Sequence, residues 1–154
     1  MRLYPPVYLI GREATCELEL GGYRLNKGDT VIMSQWVSHR DARYFPDPES
    51  FRPERWLDGL ARRLPRYAYY PFGGGPRVCI GNAFAMTELT IILATVGQSY
   101  QFTVAIDAPP EPGPQITLLP KNRMPAVLKR RPRVGCNAGA VQAEHPRSAA
   151  AGTE

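Results

Sequence analysis

One cysteine of this sequence lies in a glycine-rich turn that leads directly into an apolar segment. The ten residues read Phe-Gly-Gly-Gly-Pro-Arg-Val-Cys-Ile-Gly, with Phe72 at the start and the thiol at Cys79. A thiol is mostly protonated at neutral pH, and a metal, a nearby cation or the amino end of a helix stabilises the thiolate. If a helix begins after this cysteine, its unpaired N–H groups point back toward the sulfur. The pattern therefore predicts that Cys79 is a thiolate ligand of a metal.

The turn matches the pattern F-x-x-G-x-R-x-C-x-G, which resembles the proximal haem loop of the cytochrome P-450 family. The resemblance implies that Cys79 binds the iron of haem b (iron protoporphyrin IX), that Phe72 packs beside the sulfur, and that Arg77 bonds a haem propionate. Glycines in the loop carry no Cβ, so the backbone can pass close under a flat porphyrin. The resemblance assigns no catalytic acid or base, and its further haem-binding residues are Arg12, Gly73 and Gly81.

Simpler interpretations of this turn compete with haem binding. A Gly-Gly-Gly-Pro stretch is usually only a turn, and a G-x-G pattern often indicates a phosphate-binding loop. The lysine of a P-loop is absent, however, and no strand rich in valine and isoleucine precedes the glycines. A lone cysteine is more often a small buried apolar residue than a ligand. The other matching positions around Cys79 favour haem ligation over these alternatives.

The composition is that of a single domain rich in turns. The chain has 154 residues, 44% of them hydrophobic, with 16 prolines and 14 glycines. Its three cysteines form no C-x-x-C or C-x-x-H motif, which argues against a disulfide framework or a zinc site and favours a cytoplasmic location. The sequence shows neither a signal-peptide pattern nor an apolar stretch of bilayer length, so we expect no membrane association.

The net charge of +5 comes from 19 basic and 14 acidic residues. Part of the excess lies in the run at 129–133 and in a basic patch that we define as Arg62, Arg63 and Arg66. No aromatic stacking platform or recognition-helix pattern accompanies these residues, so we predict no nucleic-acid partner. The resemblance implies instead that the basic patch docks an acidic electron-transfer partner of the ferredoxin or flavodoxin type. A merely solvated loop is the alternative for these arginines.

By this resemblance the chain is α+β and forms the C-terminal fragment of the mainly α cytochrome P-450 fold. The expected parts are a small antiparallel sheet, a proline-rich meander, the cysteine haem loop, one long buried helix and a C-terminal hairpin. Residues 1–132 would form the haem-binding portion of the domain. Residues 133–154 show no hydrophobic period and are predicted to be a disordered tail.

The residue pattern predicts where several of these elements lie. Alternating residues predict an antiparallel meander over 16–36, with Cys16 packed on its apolar side. Residues 82–97 are apolar on nearly every face, which predicts a helix that is buried on most sides. Near the end of the chain, 116–119 is predicted to pair with 126–128 in a hairpin.

A second family element lies in the meander. Residues 53–56 read P-E-R-W and resemble the family's P-E-R-F, whose arginine joins the E-x-x-R pair in an ion network. The arginine of E-x-x-R would be Arg2, and its glutamate would precede Met1. Without that glutamate we expect Arg2 and Arg55 to face each other as like charges. The resemblance covers roughly residues 2–131, about the last third of a family member.

The resemblance also places two apolar segments in the substrate cavity, with the lining residues Val7, Tyr8, Leu9, Ile116 and Thr117. A buried strand explains the first segment and edge-strand packing explains the second equally well. His39 is interpreted as a structural or surface histidine, and a place beside a haem propionate is the alternative.

Three functional hypotheses remain open at this point. The first is a haem-thiolate monooxygenase that inserts one oxygen atom of O₂ into an apolar organic substrate, with this chain supplying the proximal haem-binding half. The second is a truncated, catalytically inactive haem-binding remnant, or a fragment with a misassigned start. The third keeps the thiolate but isomerises or dehydrates peroxides without needing electrons.

Overall fold

Eight short strands and three α-helices lie in the part of the chain that the computed structural model describes, which is residues 1–105 and 108–132. The tail predicted for 133–154 lies outside the described residues. The strands are β1 (Ile10–Glu13), β2 (Leu18–Leu20), β3 (Tyr23–Leu25), β4 (Thr30–Met33), β5 (Tyr100–Val104), β6 (Pro112–Pro114), β7 (Leu118–Pro120) and β8 (Ala126–Arg130). The helices are α1 (Gln35–Ser38), α2 (Leu60–Arg63) and α3 (Asn82–Ser99), and 3₁₀ turns cover Pro53–Trp56 and Gly75–Arg77.

The predicted antiparallel meander forms as two separate strand pairs. β1 pairs with β4, and β2 pairs with β3. Gly21 and Gly22 connect β2 to β3 with φ angles of 58° and 83°, which suits a tight hairpin turn. Cys16 is exposed, so the prediction of a packed core thiol is wrong. Every residue of β2 is exposed as well, because the apolar side of this hairpin covers no core.

The C-terminal strands pair differently from the prediction. β7 pairs with β6 across the short turn at 115–117, and β8 pairs with β5 over five positions. The predicted pairing of 116–119 with 126–128 is therefore wrong. β6 is the strand that a short turn brings back to β7, so closing that hairpin costs little loop entropy. β8 instead finds a partner of equal length in β5.

α3 confirms the helix predicted for 82–97. It ends where Tyr100 takes an extended conformation and begins β5. The prediction of burial is wrong for this structure, because no residue of α3 is buried and Phe84 and Leu93 are 73% and 65% exposed. Among the described elements β5, which follows α3 directly in the chain, makes the most contacts with it, and those contacts are few. No helix within residues 1–105 or 108–132 combines the length and apolar content that a bilayer crossing requires.

A small aromatic core holds the start of the cysteine loop in place. Phe45 and His39 are fully buried, and the ring of Tyr69 lies 4.8 Å from those of both His39 and Trp56, measured between centroids. The Nε2 atom of His39 accepts a hydrogen bond from the backbone N–H of Tyr70 at 2.9 Å. The core thereby ties the segment after α1 to the residues that lead into the loop, and the interpretation of His39 as structural is confirmed.

The buried ring of His39 makes the stability of the fold depend on pH. Burial lowers the pKa of His39 to about 4, whereas an unfolded histidine titrates near about 6.5. Because the folded-state pKa is the lower one, this stabilisation is fully present above about pH 6.5 and is lost as the pH falls toward about 4. We expect the free energy of unfolding to fall by on the order of 3 kcal/mol across this range from His39 alone.

Urea unfolding at a series of pH values measures this dependence. His39→Gln should remove the part of the pH dependence that His39 contributes. The other histidine, His145, lies outside the described residues, and His145→Gln serves as the control that keeps the full dependence. An unchanged pH profile in His39→Gln would show that the ring is not held neutral by the fold.

Candidate functional site

The cysteine loop is closed by its own backbone. The N–H of Cys79 donates to the carbonyl of Phe72 at 3.0 Å, and the N–H of Val78 donates to the carbonyl of Gly75 at 3.1 Å. Gly73 and Gly75 have φ angles of 73° and 69°, a region that residues with a Cβ rarely adopt. The loop conformation therefore depends on glycine at these two positions.

The middle glycine of the loop serves a different purpose. The backbone of Gly74 is extended, but a Cβ on this residue would overlap the ring of Tyr67. A side chain at this position would have to displace the Tyr67 ring, so space rather than backbone conformation favours glycine here. Tyr67 thus packs directly on the cysteine loop.

The loop runs into the amino end of α3. The carbonyl of Gly81 accepts the first bond of the helix from the N–H of Ala85 at 2.9 Å. A Cβ built on Gly81 would stand 3.8 Å from the Sγ atom of Cys79. The first turn of an 18-residue helix therefore begins beside the sulfur.

Most of the predicted haem-binding residues line one cavity of about 510 Å³. Predicted residues from two separate segments of the chain meet there, namely Val7, Arg12, Phe72, Gly73, Arg77 and Cys79. Gly81 does not line the cavity but lies next to the sulfur. The strand β1 carries Arg12 and the cysteine loop carries the thiol, so the fold brings together two residues that are 67 positions apart in the sequence.

The charged residues that line this cavity are both cations, Arg12 and Arg77. Neither forms an ion pair with a described acidic residue, and the hydrogen bond that Arg12 makes is to the carbonyl of Gly11 at 2.8 Å. Proline, valine, isoleucine and phenylalanine side chains supply apolar walls. An apolar space with a thiol and two arginines can hold a flat apolar group that carries anionic substituents.

The residues predicted to line a substrate cavity are only partly assembled. Val7 lines the cavity beside Cys79, whereas the hydroxyl of Tyr8 donates to the carbonyl of Gln115 at 2.9 Å and Leu9 is 42% exposed. The N–H of Leu118 donates to the carbonyl of Pro6 at 2.8 Å. These bonds fasten the β6–β7 hairpin along the segment before β1. The predicted residues Ile116 and Thr117 lie at the tip of this hairpin and are exposed.

Arg2 and Arg55 lie together, as predicted, without an acidic partner among the described residues. Arg2 donates to the carbonyls of His39, Pro48 and Ser50, and Arg55 also donates to the carbonyl of Ser50, at 3.4 Å. Burial, followed by the charges of Arg55 and Arg40, lowers the pKa of Arg2. Backbone carbonyls thus bind these guanidinium groups in place of a carboxylate, and the Nε atom of Arg55 is buried without a partner among the described residues.

The basic patch lies on the segment before the cysteine loop. Arg62 and Arg63 end α2, and all three arginines of the patch are exposed. The guanidinium of Arg66 lies 5.0 Å from the ring centroid of Tyr67, which packs on the loop. The patch is therefore joined to the cysteine loop through Tyr67.

The sequence analysis missed Gln35, which lines the same cavity and is fully buried. Gln35 follows the strand β4 and Ser34, the residue that caps α1. A polar residue directly after an apolar strand is the signal that could have identified it. No motif marks it, because its burial depends on contacts between distant segments.

Comparison with known proteins places these features in a family. The family model for cytochrome P-450 matches residues 1–127. The chain is 43% identical to cyclooctatin synthase of Streptomyces melanosporofaciens over 118 residues, which cover 77% of this chain and 26% of that protein. It is 41% identical over 101 residues to cyclooctat-9-en-7-ol 5-monooxygenase of the same organism, which cover 66% of this chain and 22% of that protein.

Solved structures agree with the family model. Retinoic acid-bound cyanobacterial CYP120A1 matches with a TM-score of 0.78 and 33% identity, over 84% of this chain and 31% of that chain. The structure of a cytochrome P-450, CYP102L1, matches with a TM-score of 0.75 and 30% identity, over 84% of this chain and 29% of that one. The chain spans about a quarter of the length of the curated relatives described above. The predicted α+β fragment of this fold is confirmed, and the chain belongs to the cytochrome P-450 family.

Proposed function

We propose that the cavity beside Cys79 binds haem b, with Cys79 as the thiolate ligand of the iron. The chain would supply the proximal haem-binding half of a monooxygenase that inserts one oxygen atom of O₂ into an apolar organic substrate. The observation that carries this proposal is the convergence of Cys79, Arg77 and Arg12 on one apolar cavity. Residues 1–132 would form the haem-binding portion, within a cytoplasmic protein.

The residues of the cavity fit a haem in size, charge and shape. A volume of about 510 Å³ with apolar walls suits a large flat macrocycle. Gly73 leaves the backbone without a side chain where the loop borders the cavity. Two cations suit two propionates, and the buried amide of Gln35 has no described partner. The donor set therefore agrees with an iron porphyrin rather than with a bare metal ion.

Each residue would have a separate role in holding the group. Haem, when bound, supplies one-electron and O₂ chemistry, and a thiolate ligand favours O–O cleavage. Cys79 is held by the bond from its N–H to Phe72, and the amino end of α3 favours its anionic form. Arg12 and Arg77 would orient the propionates by charge-assisted hydrogen bonds. Phe72 would keep water away from the sulfur.

The printed names of relatives support the reaction class. One is named a cyclooctat-9-en-7-ol 5-monooxygenase, and one solved neighbour holds retinoic acid. Both names describe organic molecules, one an alcohol and the other a carboxylic acid. For this chain an apolar substrate would enter near Val7, Tyr8 and Leu9, with the hairpin tip at Ile116 and Thr117 as a second wall.

An acidic electron-transfer protein, of the ferredoxin or flavodoxin type, would bind the basic patch. The patch supports this because its exposed guanidinium groups lie on the segment that leads to the cysteine loop. Like-signed surface charges of this kind speed the encounter with an oppositely charged partner.

A second candidate is a haem-binding chain without turnover. The exposed apolar side chains of α3, such as Phe84 and Leu93, favour it, because a face of this kind marks a surface that is covered in a working protein. The two candidates differ in substrate oxidation, since only the monooxygenase would couple electron supply to oxygenated product.

Titration of the purified chain with haem tests the proposal. We expect saturable binding of one haem per chain, because Cys79, Arg12 and Arg77 share one cavity. After reduction and addition of carbon monoxide, the complex should show the red-shifted Soret band of a thiolate ligand. Binding without saturation, or a Soret band at the position of a nitrogen-ligated haem, would contradict the proposed site.

A further inference from the structure

Tyr67 has a backbone conformation that tyrosine rarely adopts. It lies in a four-residue turn over 65–68, which the N–H of Ala68 closes by donating to the carbonyl of Pro65 at 3.0 Å. The φ angle of Tyr67 is 66°, and a turn with positive φ at its third position usually has glycine or asparagine there. A bulky side chain in this region is an outlier. Such conformations persist only where surrounding contacts compensate for them, so the contacts of the Tyr67 ring indicate what it does.

The ring of Tyr67 has three neighbours. The ring of Tyr70 stands perpendicular to it, with 6.3 Å between centroids and an interplanar angle of 89°. The guanidinium of Arg66 lies 5.0 Å from its centroid, and Gly74 lies against the ring itself. Tyr70 is anchored in turn, because its hydroxyl shares a hydrogen bond with the hydroxyl of Ser38 at 3.1 Å. The Tyr67 ring therefore packs between the cysteine loop and a side chain that is fixed to α1.

Of the three loop glycines, Gly74 is the one that a described side chain packs against. A Cβ built on Gly73 or Gly75 would meet no described atom within 4 Å. The three atoms nearest to a Cβ on Gly74 all belong to the ring of Tyr67. The backbone of Gly74 is extended, a conformation that any residue adopts. The absence of a side chain at Gly74 and the presence of a ring at Tyr67 therefore complement each other.

A contact at Gly74 restricts the part of the loop with the greatest freedom. Glycine has more accessible backbone conformations than any other residue, and three of them follow one another here. Gly73 borders the cavity, and Gly75 begins the 3₁₀ turn that precedes Cys79. Gly74 joins these two parts. A loop that is already ordered loses less conformational entropy when a ligand binds, so the ligand binds more tightly.

We propose that Tyr67 is a positioning residue whose ring, packed on Gly74, holds the cysteine loop in the conformation that presents Cys79 to the cavity. This inference rests on the proposed haem site. Tyr67 does not line the cavity and touches no reacting atom. Its contact with the loop compensates for the unfavourable backbone conformation at this position.

Haem binding by variants of Tyr67 and Gly74 tests this role. In the full chain Tyr67→Asn removes the ring and supplies a residue that tolerates positive φ. We expect it to raise the Kd of iron protoporphyrin IX about tenfold, because the loop must then be ordered on binding. At saturating haem, the reduced carbon monoxide complex should also lose part of its thiolate Soret band. Gly74→Ala should have the same two effects, since the ring must leave the loop to make room for the Cβ.

The double variant separates one shared contact from two independent effects. Once Tyr67→Asn has removed the ring, Gly74→Ala should raise the Kd no further, because the space beside residue 74 is vacant. Residues in direct contact show this kind of non-additivity. Additive effects of the two substitutions would show that the ring and the glycine act independently, and would overturn the inference.

Three further variants make the comparison specific to the ring. Tyr67→Phe keeps the ring and should restore the Kd and the thiolate band of the wild type. Equal weakening by Tyr67→Phe and Tyr67→Asn would assign the effect to the hydroxyl group and contradict the proposal. Tyr23→Asn, at a side chain of β3 that is 77% exposed, should leave both measurements unchanged. Tyr67→Gly provides the same test if asparagine disturbs the turn, and circular dichroism establishes that each variant is folded.

The outcomes distinguish this inference from the haem site itself. A Tyr67→Asn variant that is less stable in urea but keeps the wild-type Kd and thiolate band would assign the ring a structural role only. That result overturns the inference and leaves the haem site standing. Failure of the wild-type chain to bind iron protoporphyrin IX with a thiolate spectrum overturns both.

Discussion

Cys79→Ala is expected to abolish the thiolate spectrum of the haem-loaded chain completely. The Soret band of the reduced carbon monoxide complex depends on sulfur as the axial ligand, and alanine offers no ligand atom. The loop itself should survive the change. Cys79 is exposed, and the bonds that close the loop use the backbone N–H of this residue rather than its side chain. The effect is therefore one of ligation and not of folding.

Cys16→Ala is the matched control for this prediction. Cys16 is also exposed but lies before β2 and does not line the cavity. We expect its variant to keep the thiolate band at full intensity. The measurement is the absorption spectrum after reduction and addition of carbon monoxide, recorded at equal haem occupancy. Persistence of the band in Cys79→Ala, or its loss in Cys16→Ala, would assign the ligand to a different residue.

Arg2→Met is expected to be the most destabilising single change in the core. The guanidinium of Arg2 donates to three backbone carbonyls at 2.9, 2.6 and 3.0 Å and lies 5.2 Å from the ring centroid of Phe45. Removing it leaves the buried carbonyl of His39 and the part-buried carbonyl of Pro48 without this donor, at about 1–3 kcal/mol for a fully buried group. The carbonyl of Ser50 keeps its bond from Arg55. Relief of the repulsion from Arg55 and of the burial of a charge offsets part of this loss. We expect a net loss of about 3 kcal/mol in the free energy of unfolding.

Arg52→Met is the control that removes an arginine from the same meander. Arg52 bonds Asp47 at 3.1 Å, but both side chains are more than half exposed. Exposed pairs of this kind contribute about 0–1 kcal/mol. Urea unfolding of the two variants measures the contrast. Equal stability of Arg2→Met and Arg52→Met would show that the carbonyl bonds of Arg2 do not hold the meander together.

The parts of the fold that the sequence predicted well are those set by neighbouring residues. The three loop glycines, 73–75, lack a Cβ and so permit positive φ, which Gly73 and Gly75 have and the extended Gly74 does not. The apolar run after the cysteine predicted α3 within two residues of its observed end. Such features depend on local conformation, which the residue types determine directly.

The features that the sequence did not predict depend on partners distant in the chain. The partner of β8 is β5, more than 20 residues away, and nothing in 126–128 distinguishes it from the nearer β7. Apolar and acidic residues alternate after Cys16, and this pattern predicted a buried thiol. A two-stranded hairpin has no second layer that could bury it. Strand pairing and burial are tertiary properties, and local pattern constrains them weakly.

In the candidate site, too, the sequence predicted the local features better than those that depend on distant residues. The motif around Cys79 predicted four residues of the cavity within the loop's own sequence, because their spacing is local. Arg12 was predicted only from the family resemblance. Neither the motif nor the resemblance predicted Gln35. The position of that amide in the cavity follows from the attachment of α1 to the segment before β1, a contact across 28 residues between Trp36 and Tyr8.

X-ray absorption at the iron edge of the haem-loaded chain tests the assignment of Cys79 most directly, because it detects the atoms bound to the iron. We expect one sulfur atom in the first coordination shell of the wild-type protein. In Cys79→Ser the shell should contain only light atoms. A wild-type shell without sulfur, or a sulfur atom that persists in Cys79→Ser, would contradict the proposal that this loop presents its thiolate to haem.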